Sequence, residues 1–276
     1  MPTDGHVGRL DGKVAIVTGG GRGLGRAMAL GLAGAGAHVV ITAATEISEI
    51  EAVAAEGNGR ILPRRADVTR PEDCGIVVAA ALDGFGRLDI LVNNAGRGMK
   101  YVSETFLTAP TRFWQTDADV WRRIIDTNVN GPFLMARAAV PAMIGAGRGR
   151  IVNISMNYET MRRAGFSPYG PSKAALESET AIWAQDLAGT GVTVNALLPG
   201  GATRTGMIPA SFPETARASL LEPAVIVPPL LWLASDASRG ITGLRIDARR
   251  WRLDLDPEDA CREASGEAGW AVPQPD

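Results

Sequence analysis

Short apolar, β-branched runs alternate with amphipathic stretches along nearly the whole chain, and this alternation leaves few folds open. Val14–Thr18, Val39–Thr42, Arg60–Ala66, Ile90–Asn93, Ile151–Ser155 and Val192–Leu198 read as strands, with a seventh near Leu244–Asp247. Between them, Arg22–Gly34, Ser48–Ala55, Pro71–Phe85, Pro168–Ala188 and the region around Val225–Ala234 read as helices. A long helix is expected around Asp119–Ile144, kinked near Pro132. Strands without a polar face must be covered on both sides, which implies βαβ crossovers and a parallel sheet. The expected fold is therefore α/β, a Rossmann-type doubly wound parallel sheet with helices on both faces. One domain should cover 1–276, with its core at about 10–247, a variable loop at 201–222 and an atypical tail at 248–276. The polar stretch Asp254–Asp276 is expected to be partly disordered or to pack on a neighbour. In such sheets ligands bind at the carboxyl ends of the strands.

Composition removes several functions. The 276 residues suit one α/β unit. A formal net charge of -2 gives no field to recruit nucleic acid or an anionic membrane. Two cysteines, Cys74 and Cys261, make no disulfide framework, and His6 and His38 are too few to build a metal site. The first residues hold no apolar segment of signal-peptide type, and Ile76–Leu82 and Leu230–Ala234 are too short to span a bilayer. A cytoplasmic enzyme is the default expectation. Lysine is rare: Lys13, Lys100 and Lys173 stand among 28 basic residues. Each is worth scrutiny, because arginine does not replace a compact ammonium.

Thr18–Gly25 reads TGGGRGLG, directly after a buried strand and opening a helix. The turn needs a residue without Cβ, close approach of a pyrophosphate needs another, and the helix N-terminus offers free N–H groups. Strand, turn and helix occur in the order a dinucleotide site requires. Further on come NNAG at Asn93–Gly96 and Tyr169-Gly-Pro-Ser-Lys173. The i, i+4 spacing puts Tyr169 and Lys173 on one helix face. A phenol with a pKa of about 10 is a poor acid–base catalyst, and a neighbouring ammonium lowers that value.

With TGxxxGxG, NNAG and YxxxK in this order, the sequence resembles the short-chain dehydrogenase/reductase family, over roughly Leu10–Asp247. The resemblance implies an NAD(P)-dependent oxidoreductase moving a hydride between the cofactor and a carbonyl or secondary alcohol. It implies that Thr18, Gly19, Gly21, Arg22, Gly23, Leu24 and Gly25 cradle the dinucleotide. Asp67 and Val68 would contact the adenine, although capping the following turn is an equal reading of Asp67. Asn94, Ala95 and Gly96 would wall the adenine ribose, and Pro199 and Gly200 would pass over the nicotinamide. Tyr169 would transfer the proton and Lys173 would also hold the nicotinamide ribose. Ser155 would stabilise the substrate oxygen, and Asn128 would help hold a water leading to solvent. Asp89 matches a position that stabilises a turn.

NADP is favoured over NAD, because Thr42-Ala43-Ala44 offers no acid for the adenosine hydroxyls while Arg22 could pair a 2′-phosphate. Glu46 keeps NAD open. The segment between Gly96 and Asn128 is longer than usual for the family, and its Tyr101, Phe106, Phe113 and Trp114 could wall an apolar pocket or face outward. The closing segment from Arg245 onward also departs from the family pattern. Substrate options include a 3-oxoacyl group on an acyl carrier, with Arg162 and Arg163 near the site, or another small carbonyl or alcohol. A catalytically silent dinucleotide-binding regulator is the rival reading, opposed by the intact Asn–Ser–Tyr–Lys set. Family resemblance also implies a homotetramer packed through the helices around Asp119–Ile144 and Pro168–Ala188, with Ala174, Ala175, Ser178, Ala181 and Ala184 allowing close approach.

Overall fold

A computed structural model describes residues 8–269; His6 and residues 270–276 of the tail lie outside it. In chain order the elements begin β1 (Val14–Val17), α1 (Gly23–Gly34), β2 (His38–Ala43), α2 (Ile47–Glu56), β3 (Ile61–Arg65), α3 (Pro71–Phe85) and β4 (Ile90–Asn93). They continue with α4 (Ala118–Ile125), α5 (Gly131–Gly145), β5 (Gly149–Ile154), α6 (Tyr158–Met161), α7 (Tyr169–Asp186) and β6 (Val192–Leu198). The remainder is α8 (Glu214–Arg217), α9 (Val227–Ala234), β7 (Leu244–Asp247), α10 (Pro257–Ala264) and β8 (Ser265–Glu267).

The strands form one eight-stranded sheet in the order β3-β2-β1-β4-β5-β6-β7-β8, parallel except for β8 against β7. Every residue of β1, β4, β5 and β6 is buried, as their apolar sequences require. On one face Leu32 of α1, Leu230 and Leu233 of α9 and Cys261 of α10 pack on the sheet. On the other, Val77 of α3 and Met135 of α5 do so, with Leu187 just past α7. Each such fully buried Leu or Ile contributes about 1.5–3 kcal/mol of transfer free energy. The strand order reverses between β1 and β4, and that is the switch point where an open α/β sheet leaves a crevice. This is the Rossmann-like α/β fold that the alternation predicts, in a single domain.

Two regions are more specific than the sequence reading. The long helix is interrupted near Pro132: α4 and α5 are joined by a π-helical turn, Asp126–Asn130, just before it. Proline has no N–H to return to the carbonyl four residues back, and the widened turn absorbs that missing bond. The tail is ordered through residue 269. Ala260, Cys261 and Ala264 bury one face of α10, Asp256 caps it at Glu258 N, and β8 adds an antiparallel edge strand beside β7.

Asp89 fastens the amino end of the sheet. Its carboxylate accepts from Val14 N at 2.9 Å, from Arg87 Nε and Nη2 at 2.7 Å each and from Arg148 Nε at 3.3 Å. Burial works to raise its pKa, but the Arg87 hydrogen bonds, the Val14 N–H and the two guanidinium charges outweigh it and hold the carboxyl below its ordinary range. A lowered folded pKa means stability that is present above the unfolded carboxylate pKa and lost as pH falls through the folded one. Asp89→Ala is therefore expected to cost about 3 kcal/mol in urea unfolding at neutral pH. The gap from wild type should narrow in acid. A gap that stays constant with pH would show that the charge is not what holds this corner.

Candidate active site

The site starts where β1 and β4 end side by side. Thr18 Oγ1 accepts from the backbone N–H groups of Asn94 and Ala95, both at 3.0 Å. Asn94 Nδ2 returns the link, donating to the carbonyls of Thr18 at 2.9 Å and Gly19 at 3.0 Å. These four bonds set the width of the crevice. At Gly25 a Cβ would fall 2.0 Å from the Gly19 carbonyl oxygen, so only glycine lets α1 start this close to the turn. Gly23 holds φ +53°, a left-handed conformation that side chains disfavour. No acidic residue occupies the first turn of α1 and no side chain caps it, leaving its N–H groups directed at the crevice.

A cleft of about 430 Å³ runs from this turn across the strand ends. Gly19, Gly21, Arg22, Gly23, Leu24, Gly25, Asp67, Val68, Asn94, Ala95 and Gly96 all line it, as the motif reading places them. Thr18 lies beneath, buried, as the clasp just described. Gly200, with φ +84°, packs on Asp247 instead, and neither it nor Pro199 lines the cleft. Asp67 does what its capping reading requires: its Oδ1 accepts from Thr69 N at 3.0 Å and from Thr69 Oγ1 at 2.8 Å, and it also faces the cleft. At the end of β2 the wall is Thr42, Ala43, Ala44 and Thr45, with Glu46 and Glu49 beyond. Arg22 makes an exposed ion pair with Glu49 at 3.3 Å, and Arg65 Nε donates to the Ala44 carbonyl at 3.3 Å. The glycine cradle, the uncapped helix end and the cleft lining from Gly19 to Gly96 fit a dinucleotide. Among the described residues no group of three His, Cys, Asp or Glu side chains is placed to hold a metal, and no helix is long and apolar enough to cross a membrane.

The second half of the site is a zipper between β5 and α7. Strand alternation turns Asn153 and Ser155 toward α7, and Lys173, Glu177 and Thr180 share the facing side of that helix. Asn153 Nδ2 donates to Thr180 Oγ1 at 2.9 Å, and Asn93 Nδ2 to Asn153 Oδ1 at 2.8 Å. Lys173 Nζ donates to the Ile154 carbonyl at 2.6 Å. Asn128, in the π-helical turn, clasps the chain after β4: its Oδ1 accepts from Arg97 N at 2.8 Å and its Nδ2 donates to Arg97 O and Ser172 Oγ, both at 2.9 Å. Gly96 joins the two halves, since a Cβ there would lie 3.3 Å from Asn128 Oδ1 and 3.9 Å from Lys173 Nζ. Burial pushes the Lys173 ammonium down to about 8, partly opposed by Glu177. Burial also pushes the Tyr169 phenol up to about 12. Desolvation moves Tyr169 opposite to the expected lowering by Lys173, whose ammonium donates to the Ile154 carbonyl.

Ser155, the expected partner of the substrate oxygen, is buried against α7. Its hydroxyl donates to the buried carboxylate of Glu177 at 2.6 Å. Met156, the next residue, packs with Met99, Phe106, Met161 and Phe166 against Tyr169. The four aromatic residues singled out in the segment after Gly96 divide. Phe106 joins that apolar cluster, edge-on to Phe166 at 5.7 Å, and Tyr101 lines the cleft under Arg97. Phe113 and Trp114 face outward, 67% and 69% exposed. Sequence reading passed over Arg97 and Glu177. Glu177 had one signal, its i, i+4 spacing from Lys173.

Comparison with known proteins agrees with this geometry. Residues 13–215 match the family model described as short chain dehydrogenase. A short-chain type dehydrogenase/reductase of Picea abies is 40% identical over 201 residues, covering 69% of this chain and 71% of the relative. The crystal structure of a 3-ketoacyl-(acyl-carrier-protein) reductase from Brucella melitensis, complexed with NADH, is 32% identical with a TM-score of 0.76, covering 86% of this chain and 96% of that one. A metagenomic short-chain oxidoreductase in complex with NADP is 30% identical with a TM-score of 0.68, covering 82% and 91%. The chain belongs to the short-chain dehydrogenase/reductase family, and it is an oxidoreductase acting on CH–OH groups with NAD(P).

Proposed function

We propose that the protein interconverts an apolar carbonyl compound and its secondary alcohol, with NADP(H) favoured over NAD(H) and 3-oxoacyl groups as the first substrate class to test. The observation that carries this reading is the junction at Gly96, which brings the glycine-lined cleft against Asn128 and Lys173. When bound in the cleft, the cofactor supplies or accepts the hydride. Thr18 through Gly25 would hold its pyrophosphate, Asp67 and Val68 its adenine, Asn94 to Gly96 its adenine ribose, and Pro199 and Gly200 would cover the nicotinamide once the site is loaded. Tyr169 gives its phenolic proton to the carbonyl oxygen in reduction and takes it back in oxidation. Lys173, charged at neutral pH, favours the phenolate form as the proton leaves and holds the ribose. Asn128 fixes the loop at Arg97 and the start of α7 through Ser172, so that Tyr169 and Lys173 keep their relative position.

Met99, Phe106, Met156 and Phe166 beside Tyr169, with Met207 reaching to Gly98, give the substrate side an apolar surface. The 3-ketoacyl reductase among the similar structures supports an acyl substrate of this kind. For the cofactor, the absence of an acid at Ala43-Ala44 and the guanidinium groups of Arg22 and Arg65 on either side support a 2′-phosphate. The exposed Trp121, Phe133 and Ile182 on α4, α5 and α7 support the homotetramer that the family resemblance implies. A monomer by light scattering would remove that part of the reading.

The test follows NADPH oxidation with a panel of 3-oxoacyl thioesters and cyclic ketones. Tyr169→Phe is expected to lower kcat by at least about 100-fold while binding NADPH as wild type does. Gly25→Ala should lose dinucleotide binding altogether, because its Cβ cannot be placed beside Gly19. Arg22→Ala should weaken NADPH by roughly 10-fold and leave NADH nearly unchanged. Equal weakening of both would remove the 2′-phosphate argument, and full activity in Tyr169→Phe would remove the proton-transfer argument.

A further inference from the structure

Among the described residues three cationic side chains line the cleft: Arg22, Arg97 and Lys100. Arg22 pairs with Glu49 at 3.3 Å and Lys100 with Glu104 at 3.6 Å, whereas no described carboxylate lies within ion-pair distance of Arg97. Arg97 is nonetheless half-buried and held from several sides. Asn128 clasps both its backbone N–H and its carbonyl. Its Nε donates to Thr127 Oγ1 at 3.2 Å, and the Thr127 hydroxyl donates its own proton to the Arg123 carbonyl at 2.8 Å, which leaves lone pairs for the guanidinium. The Tyr101 ring lies 4.7 Å from the guanidinium carbon. Nε and one π face are thus engaged, while neither Nη group has a hydrogen-bond partner among the described residues. A cation held in this way is partly desolvated without a counterion.

The place of Arg97 along the cleft identifies that counterion. On one side stands Gly96, where a Cβ would lie 3.9 Å from Lys173 Nζ, at the end read as the nicotinamide side. On the other, Thr127 stands one turn before Gly131, where a Cβ would lie 2.7 Å from Val68 Cγ2, beside the residue read as touching the adenine. The guanidinium bonded to Thr127 therefore sits between the two ends. A dinucleotide stretched between them carries its pyrophosphate, the anionic group that NAD and NADP share, at its middle. We propose that Arg97 is a cofactor-binding residue whose Nη groups grip this pyrophosphate in addition to the glycine turn. The inference rests on the hydride-transfer reading of the cleft. A guanidinium fork matches two phosphate oxygens, and Thr127 and Tyr101 order it before the ligand arrives. Met99, two residues on, turns instead into the apolar cluster at Tyr169, so one short segment gives its cation to the cofactor and its thioether to the substrate side. This grip serves both dinucleotides alike, unlike that of Arg22 on a 2′-phosphate.

Fluorescence titrations of the wild type, Arg97→Gln and Arg97→Lys with NADPH and, separately, NADH test the assignment. Arg97→Gln is expected to weaken both dinucleotides by the same factor, about 10-fold or more. Arg97→Lys keeps the charge and loses the fork, so it should cost only about 3-fold. Added salt should weaken NADPH binding more in the wild type than in Arg97→Gln, which has one charge fewer to screen. Thermal unfolding without dinucleotide should place both variants within about 3 °C of the wild type, so that a binding loss reads the contact and not the fold. Unchanged NADPH binding by Arg97→Gln would overturn the proposal. Weakening of NADPH alone would also overturn it, because the guanidinium would then serve the 2′-phosphate. Equal losses in the Gln and Lys variants would do the same, since the charge would then contribute nothing. A wild type that binds neither dinucleotide would end the hydride-transfer reading together with this one, whereas wild-type binding with an unaffected Arg97→Gln would end this assignment alone.

Discussion

Thr18 and Asn94 hold the mouth of β1 and β4 at one width, and much of the site takes its position from that clasp. Thr18 Oγ1 accepts from both N–H groups that follow β4, and Asn94 Nδ2 donates to the two carbonyls that follow β1. Neither side can move without stranding buried polar groups, at about 1–3 kcal/mol each. The glycine turn therefore meets a fixed neighbour, and a Cβ at Gly25 would strike backbone rather than a yielding side chain. Past Asn94, the same segment delivers Gly96 to Asn128 and Lys173. Cofactor cleft and proton-transfer groups share one rigid origin, the switch point of the sheet.

From there the order of strands does the rest. Parallel strands put all their carboxyl ends on one edge, so β5 and α7 must present their side chains beside β4. The zipper of Asn93, Asn153 and Thr180 is buried and pairs donor to acceptor across three elements, leaving Asn93 Oδ1 without a partner. Such a network is costly if half made and specific when complete. It fixes the register of α7, and with it the placement of Tyr169, Lys173 and Glu177.

The sequence made the sheet legible because its central strands are buried on both faces and are mostly apolar. The glycine turn was legible for a related reason, since few residue types tolerate its backbone and contacts. The π-helical turn was not, because Pro132 announces a disturbance without saying how the preceding turn absorbs it. Strand β8 was not, because Ser265-Gly266-Glu267 has no apolar pattern and pairs through backbone alone. Phe106 and Trp114 look alike in sequence and part in the structure, where one meets Phe166 and the other meets water. Asp67 serves the turn and faces the cleft at once, so neither sequence reading excluded the other. The bond from Ser155 to Glu177 needed two long-range partners, Arg245 and Gly269, that no local spacing reveals.

The most direct measurement of the central claim is a fluorescence titration of the purified protein with NADPH and, separately, NADH. Saturable binding in the micromolar range, tighter for NADPH, is the predicted result. Absence of saturable binding by either dinucleotide would contradict the account, because the clasp, the glycine cradle and the uncapped start of α1 would then have been assigned to the wrong ligand.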